Sequence, residues 1–100
     1  MNKPYRDHED AVAESFRNDP ALVAEYLNAV LEDGDQQEVM LAMRRIAEAF
    51  GVREVAESAS LNAKTLYRTL SPAGNPQLSS LRAILAAVGL RLAVMPIAAN

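Results

Sequence analysis

Between Gly51 and the loop SPAGNP at residues 71–76 there is room for only two short helices, and this most limits what the chain can fold into. The stretch VREVAESASLNAKTLYRTLS (52–71) opens with a helical pattern in which Val55, Ala56 and Ala59 form the apolar side. Two helices joined by a three- to four-residue turn cross at roughly 90–120°. The first therefore needs a very small residue where the second passes over it, and Ala56 occupies that place. Ser60-Leu61-Asn62 then supplies a turn position, an apolar plug and a helix N-cap. In the second helix Leu66 and Leu70, four apart, face inward. Ser60 is expected where φ is positive, a conformation that Gly or Asn adopts more easily than Ser.

The residues left outward on the second helix are Asn62, Ala63, Lys64, Tyr67 and Arg68. An amide suits adenine edges, cations suit guanine edges and phosphates, and a small residue permits close approach, so this set matches the chemistry of a DNA major groove. The stretch reads as a helix-turn-helix with those five residues as its DNA-binding set. The plainer alternative is a pair of amphipathic helices in an ordinary bundle.

The formal net charge of −3 hides an asymmetry. Residues 1–38 carry three cations and ten acids, whereas residues 39–100 carry seven cations and three acids. The basic half holds the two-helix motif and can meet phosphates; the acidic half suits a cationic partner. With no cysteine in the chain there is no disulfide, thiolate metal site or Cys nucleophile. The single histidine, His8, is expected to be exposed near the start, and Asp7, Glu9, Asp10 and Glu14 to complement a helix dipole. No Gly-rich phosphate loop occurs and no serine has a base spaced to activate it. The sequence thus points to no enzyme, no catalytic residue, no metal and no cofactor. Without an apolar run of membrane-spanning length or a signal-peptide core in MNKPYRDHED, a cytoplasmic protein with no membrane partner is expected.

Alanine-rich composition with five aromatics favours closely packed helices. Residues 1–6 read as a disordered start and 7–17 as a marginal helix pairing Val12 with Phe16. Asp19-Pro20 is a cap followed by a first-turn proline, and Leu22, Val23, Tyr26, Leu27, Val30 and Leu31 recur at helical spacing up to Gly34. Asp35 with Glu38 resembles a capping box, opening a helix striped by Val39, Met43, Ile46 and Phe50, with Met40 also in the core, and closed by Gly51. After the motif, Asn75-Pro76 is expected to start a helix with Leu78, Leu81, Ile84, Leu85 and Val88 inward, ending at Gly89. The tail LRLAVMP then alternates with a period of two, which reads as a strand over 90–95. An unpaired apolar edge is a liability, and a two-fold-related copy is its simplest cover. The expected fold is all-α: a small helix-turn-helix bundle of five to six helices with a short C-terminal β-strand pairing across a homodimer. Residues 1–18 form an N-terminal tail and marginal acidic helix, 19–89 the DNA-binding domain with its motif at 52–71, and 90–100 the strand and tail.

Several of these segments are similar to the small addiction-module antidote proteins, relatives of HigA-type antitoxins and of Cro/repressor-like DNA-binding domains. The resemblance runs from about Asp19 to Val94. It rests on the DP-initiated helix ending in YLNAVLEDGD, the helix closing at AFG, the segment LYRTLSPAGNP and the final AVGLRL. It implies an antitoxin that neutralises a RelE-like toxin, binds operator DNA as a dimer and represses its own operon. Two other readings are an orphan, prophage-type helix-turn-helix repressor without a toxin, and a protein-binding module that no longer engages DNA.

Overall fold

A computed structural model describes residue 11 and residues 13–98. Asp7, His8, Glu9, Asp10 and Val12, with the expected disordered start, lie outside the described residues. A helical segment over residues 13–18, α1, precedes α2 (Pro20–Asp33), α3 (Gln36–Phe50), α4 (Val52–Ser58), α5 (Ala63–Thr69) and α6 (Leu78–Ala87). The protein is all-helical, with no strand among the described residues.

Local chemistry sets most of these boundaries. Asp19 caps α2 by accepting from the Leu22 amide at 3.2 Å, with Pro20 in the first turn where a missing N–H is no loss. Asp35 and Glu38 close a reciprocal capping box: the Glu38 amide donates to Asp35 Oδ1 and the Asp35 amide to Glu38 Oε1, both at 2.9 Å. Gly34 ends α2 for a steric reason, since its φ is −89°, yet a Cβ there would stand 2.7 Å from the Val30 carbonyl oxygen. Gly51, at φ +104°, both closes α3 and opens α4.

α4 and α6 end in the same way. The Leu61 amide donates to the Ala56 carbonyl and that of Ser60 to Glu57; at the end of α6 the Leu90 amide donates to Leu85 and that of Gly89 to Ala86. Each pair is a Schellman motif, which places the residue just past the cap in the left-handed region. Gly89 takes that position at φ +84° without strain, whereas Ser60 takes it at φ +61° and is the only non-glycine residue with positive φ among those described.

α4 packs against α3, α5 and α6, and α2 covers α3. The core joins Val23 and Leu27 of α2, Met40, Met43, Ile46 and Ala47 of α3, Val55 and Ala56 of α4, and Leu66, Leu70, Ile84, Leu85 and Val88 further along. Ala56 is 1% exposed, as the crossing requires.

Three expectations are corrected. Leu31, placed on the apolar face of α2 by its spacing, and Leu78, read as inward, are 54% and 63% exposed. α6 starts at Leu78 behind Gln77 rather than at Asn75-Pro76. Residues 74–77 lie outside any helix: Gln36 Nε2 donates to the Gly74 carbonyl at 3.2 Å, and Pro76 lies against the α2–α3 groove beside Leu31 and Met40. Residues 90–95 form no strand and are exposed from Arg91 on, because a ladder needs a second backbone and no strand lies alongside among the described residues.

Replacing Ser60 by Gly removes the left-handed penalty of about 1–2 kcal/mol, less the entropy a glycine adds to the unfolded chain. Ser60→Gly is expected to stabilise the fold by roughly 0.5–1 kcal/mol, read as a higher midpoint in thermal or urea unfolding; an unchanged or lower midpoint would show that Ser60 carries no strain.

Candidate nucleic-acid interface

α5 is seven residues long, too short to hold its shape unaided, so its aim is set by what grips its ends and its inner face. At its start Asn62 Oδ1 accepts from the Thr65 amide at 2.8 Å. On the inner face Leu66 and Leu70 are each 1% exposed. At its end Arg44, reaching across from α3, donates from Nη2 to the Leu70 carbonyl at 3.4 Å. A cation at a helix C-terminus also meets the negative end of the dipole. The Arg44 Nε is buried and has no hydrogen-bond partner.

Of the five residues expected to read DNA, Ala63, Lys64 and Arg68 are exposed, and the two cations, four apart, share one face of α5. Asn62 is exposed too, but its carbonyl oxygen is committed to the cap, leaving the amide nitrogen as its donor. Tyr67 is 41% exposed and is tied sideways to α3. Its hydroxyl donates to Glu48 Oε2 at 3.3 Å, and the Arg44 guanidinium lies 5.6 Å from the centre of its ring. That separation is within cation–π range. The structure therefore groups Asn62, Ala63, Lys64 and Arg68 on an accessible helix and makes Tyr67 a link between α5 and α3.

Arg44 and Glu48 escaped the sequence reading. They stand four apart on α3, a spacing that puts them on one face, but nothing local says that α5 will lie over that face. Among the described residues no group of three or more His, Cys, Asp or Glu side chains could hold a metal ion, and no helix is long and apolar enough to cross a membrane.

Elsewhere, Tyr26, Ala29 and Val30 of α2 line a shallow groove of 330 Å³ together with Asp33, Gly34 and Glu38. Phe16 of α1 packs on Tyr26 with ring centroids 5.4 Å apart. Arg17 donates from Nη1 to the Ala49 carbonyl at 2.7 Å, fixing α1 to the end of α3.

A short outer helix bearing cations, held on an all-helical core, together with an acidic groove elsewhere, defines a small protein built around exposed surfaces. A family model described as "Probable addiction module antidote protein" matches residues 8–96, and the chain belongs to that family. An uncharacterised protein of Haemophilus influenzae (strain ATCC 51907 / DSM 11121 / KW20 / Rd) is 29% identical over 69 residues, covering 69% of this chain and 71% of the relative. No solved structure matches the chain.

Partial burial first, and then the charge and hydrogen bond of Glu48, raise the Tyr67 phenol above its ordinary value of 10.0, with Arg44 acting in the opposite sense. A folded pKa above the unfolded one means that this contribution is complete below pH 10 and is lost as pH rises through the folded value. Urea midpoints measured from pH 8 upward are therefore expected to fall more steeply beyond pH 10 in the wild type than in Tyr67→Phe. Parallel curves would show that folding does not raise the Tyr67 phenol.

Proposed function

We propose that the protein is a DNA-binding antitoxin: α4, its turn and α5 form a helix-turn-helix that reads an operator, and an acidic surface elsewhere neutralises a RelE-like toxin. The observation that carries the DNA reading is α5 itself, clamped at both ends and on its buried side, with Ala63, Lys64 and Arg68 turned outward. A recognition helix works only if its side chains arrive at base edges in fixed positions, which this clamping supports. Arg68 is assigned a bidentate base contact and Lys64 a phosphate. The protein acts as a homodimer, setting two such helices about 34 Å apart on a palindromic site, and so represses its own operon. It is a binding protein with no catalytic step of its own, acting in the cytoplasm.

Membership of an antidote family favours this reading over an orphan repressor, because an antidote requires a toxin. A toxin that cleaves RNA presents cations to its substrate, and a natural inhibitor covers them with carboxylates anchored by apolar contacts. The groove of Tyr26, Ala29 and Val30 beside Asp33 and Glu38 has that composition, with Glu25 and Glu32 exposed on the same helix.

Arg68→Ala is expected to cost about 1–3 kcal/mol of operator binding and to relax one operator position. Lys64→Ala should weaken binding evenly across sequences and lower the salt slope by about one. Unaltered binding by the double variant in a titration over several salt concentrations would remove α5 from the interface.

The two surfaces should also separate. Reversing charge at Glu32 and Asp33 is expected to weaken binding of the toxin encoded beside this gene, measured by calorimetry, while a mobility-shift assay shows operator affinity within about twofold of wild type, since exposed charges on α2 that touch no base or phosphate are largely screened by salt. The same outcome is expected on removing residues 1–17 or reversing Asp7, Glu9, Asp10 and Glu14. If toxin affinity holds and operator affinity collapses, the acidic segments serve the fold or the DNA site instead.

A further inference from the structure

Two apolar features are left uncovered by the described residues. One is the tail beyond Arg91, where Val94, Met95 and Ile97 are 98%, 82% and 94% exposed. The other is a groove of 260 Å³ between α2, α3 and the start of α6, lined by Leu31, Val39, Met43, Pro76, Leu81 and Leu85 among others. Its polar lining is Gln36 and Asn75, and no charged residue faces it. Leu31 is half exposed at its lip, and Leu92 of the tail occupies its edge.

We propose that the groove receives the apolar end of the tail, Val94 to Ile97, from a second copy of the chain, and that the two copies exchange tails reciprocally about a two-fold axis. This rests on the homodimer proposed above and assigns its interface. The charge pattern selects the occupant: the groove is uncharged, and so is the sequence from Leu92 to Ala98. A cationic partner would find nothing here to pair with, whereas an uncharged apolar segment finds a match. Both halves of the contact lie on one chain, as an isologous interface requires.

The tail does not fill its own groove: it reaches the edge at Leu92, and residues 93–98 beyond it are exposed. Pro96 biases Met95 toward extended backbone, and Val94 is β-branched. An extended course instead carries Ile97 up to about 17 Å beyond Leu92, outward to a neighbouring copy.

Because the chain has no cysteine, single cysteines report the contact directly. Ile97→Cys in one chain and Leu31→Cys in a second chain carrying a mass tag are mixed and oxidised; the expected product is a disulfide-linked pair of summed mass. The same mixture with Ser58→Cys replacing Leu31→Cys, at an exposed site on α4, should give none. In sedimentation, Val94→Asp/Ile97→Asp is expected to weaken dimerisation by about a hundredfold or more, with the thermal midpoint of the monomer unchanged because both side chains are almost wholly exposed. Mixing this variant with Leu31→Asp should partly restore dimers, each lesion leaving one of the two contacts intact. A wild-type dimer that survives the tail variant at unchanged affinity overturns tail exchange and leaves the dimer standing. A wild-type protein that stays monomeric overturns both. A disulfide that forms within a chain carrying both cysteines, but not between the singly substituted chains, shows that the tail folds back and also overturns the exchange.

Discussion

The packing of α4 is the constraint on which the rest of the structure depends. A seven-residue helix has almost no stability of its own, yet α4 is the element against which α3, α5 and α6 all rest. It can serve all three because its buried side is thin: Ala56 lets a neighbouring helix pass close, while Val55 fills the space alongside. The Ala56 carbonyl also accepts the Leu61 amide and so closes the turn. Close approach and turn geometry meet at one residue. A bulkier side chain there would displace α5, and with it the cations that α5 carries.

The ends of the helices determine where those cations point. Asn62 fixes the first turn of α5 and Arg44 holds its last carbonyl, so the outer face has little freedom to rotate. The Tyr67 link adds a lateral tie to α3. It also occupies Glu48, one of only three acids in residues 39–100, and the Tyr67 hydroxyl partly satisfies a carboxylate that would otherwise stand free near the basic surface.

Acidic and basic surfaces are kept apart by the order of the helices. α2 and the start of α3 bring Glu25, Glu32, Asp33, Asp35 and Glu38 to the surface, while Lys64 and Arg68 come from α5, which packs against α4. With the two charge sets on separate elements, either surface can be altered without dismantling the other. The uncharged groove between α2, α3 and α6 belongs to neither set.

Most helix boundaries are written in short local motifs. Asp19-Pro20, the Asp35/Glu38 pair, Gly51, Asn62 and Gly89 each act through atoms within a few residues, so their effect could be read without knowing the fold. The need for a small residue at Ala56 and for positive φ at Ser60 was legible for the same reason. Packing between distant segments settled the rest. It left Leu31 and Leu78 exposed although their helical spacing grouped them with apolar residues, and kept Asn75-Pro76 out of α6, with Gln36 donating to the neighbouring Gly74 carbonyl. It set Tyr67 against Glu48, nineteen residues away, and left the alternating tail without a neighbouring strand. Periodicity tells which residues share a face, but which face is covered depends on where the other helices lie, and a two-residue period makes a strand only where another backbone runs beside it.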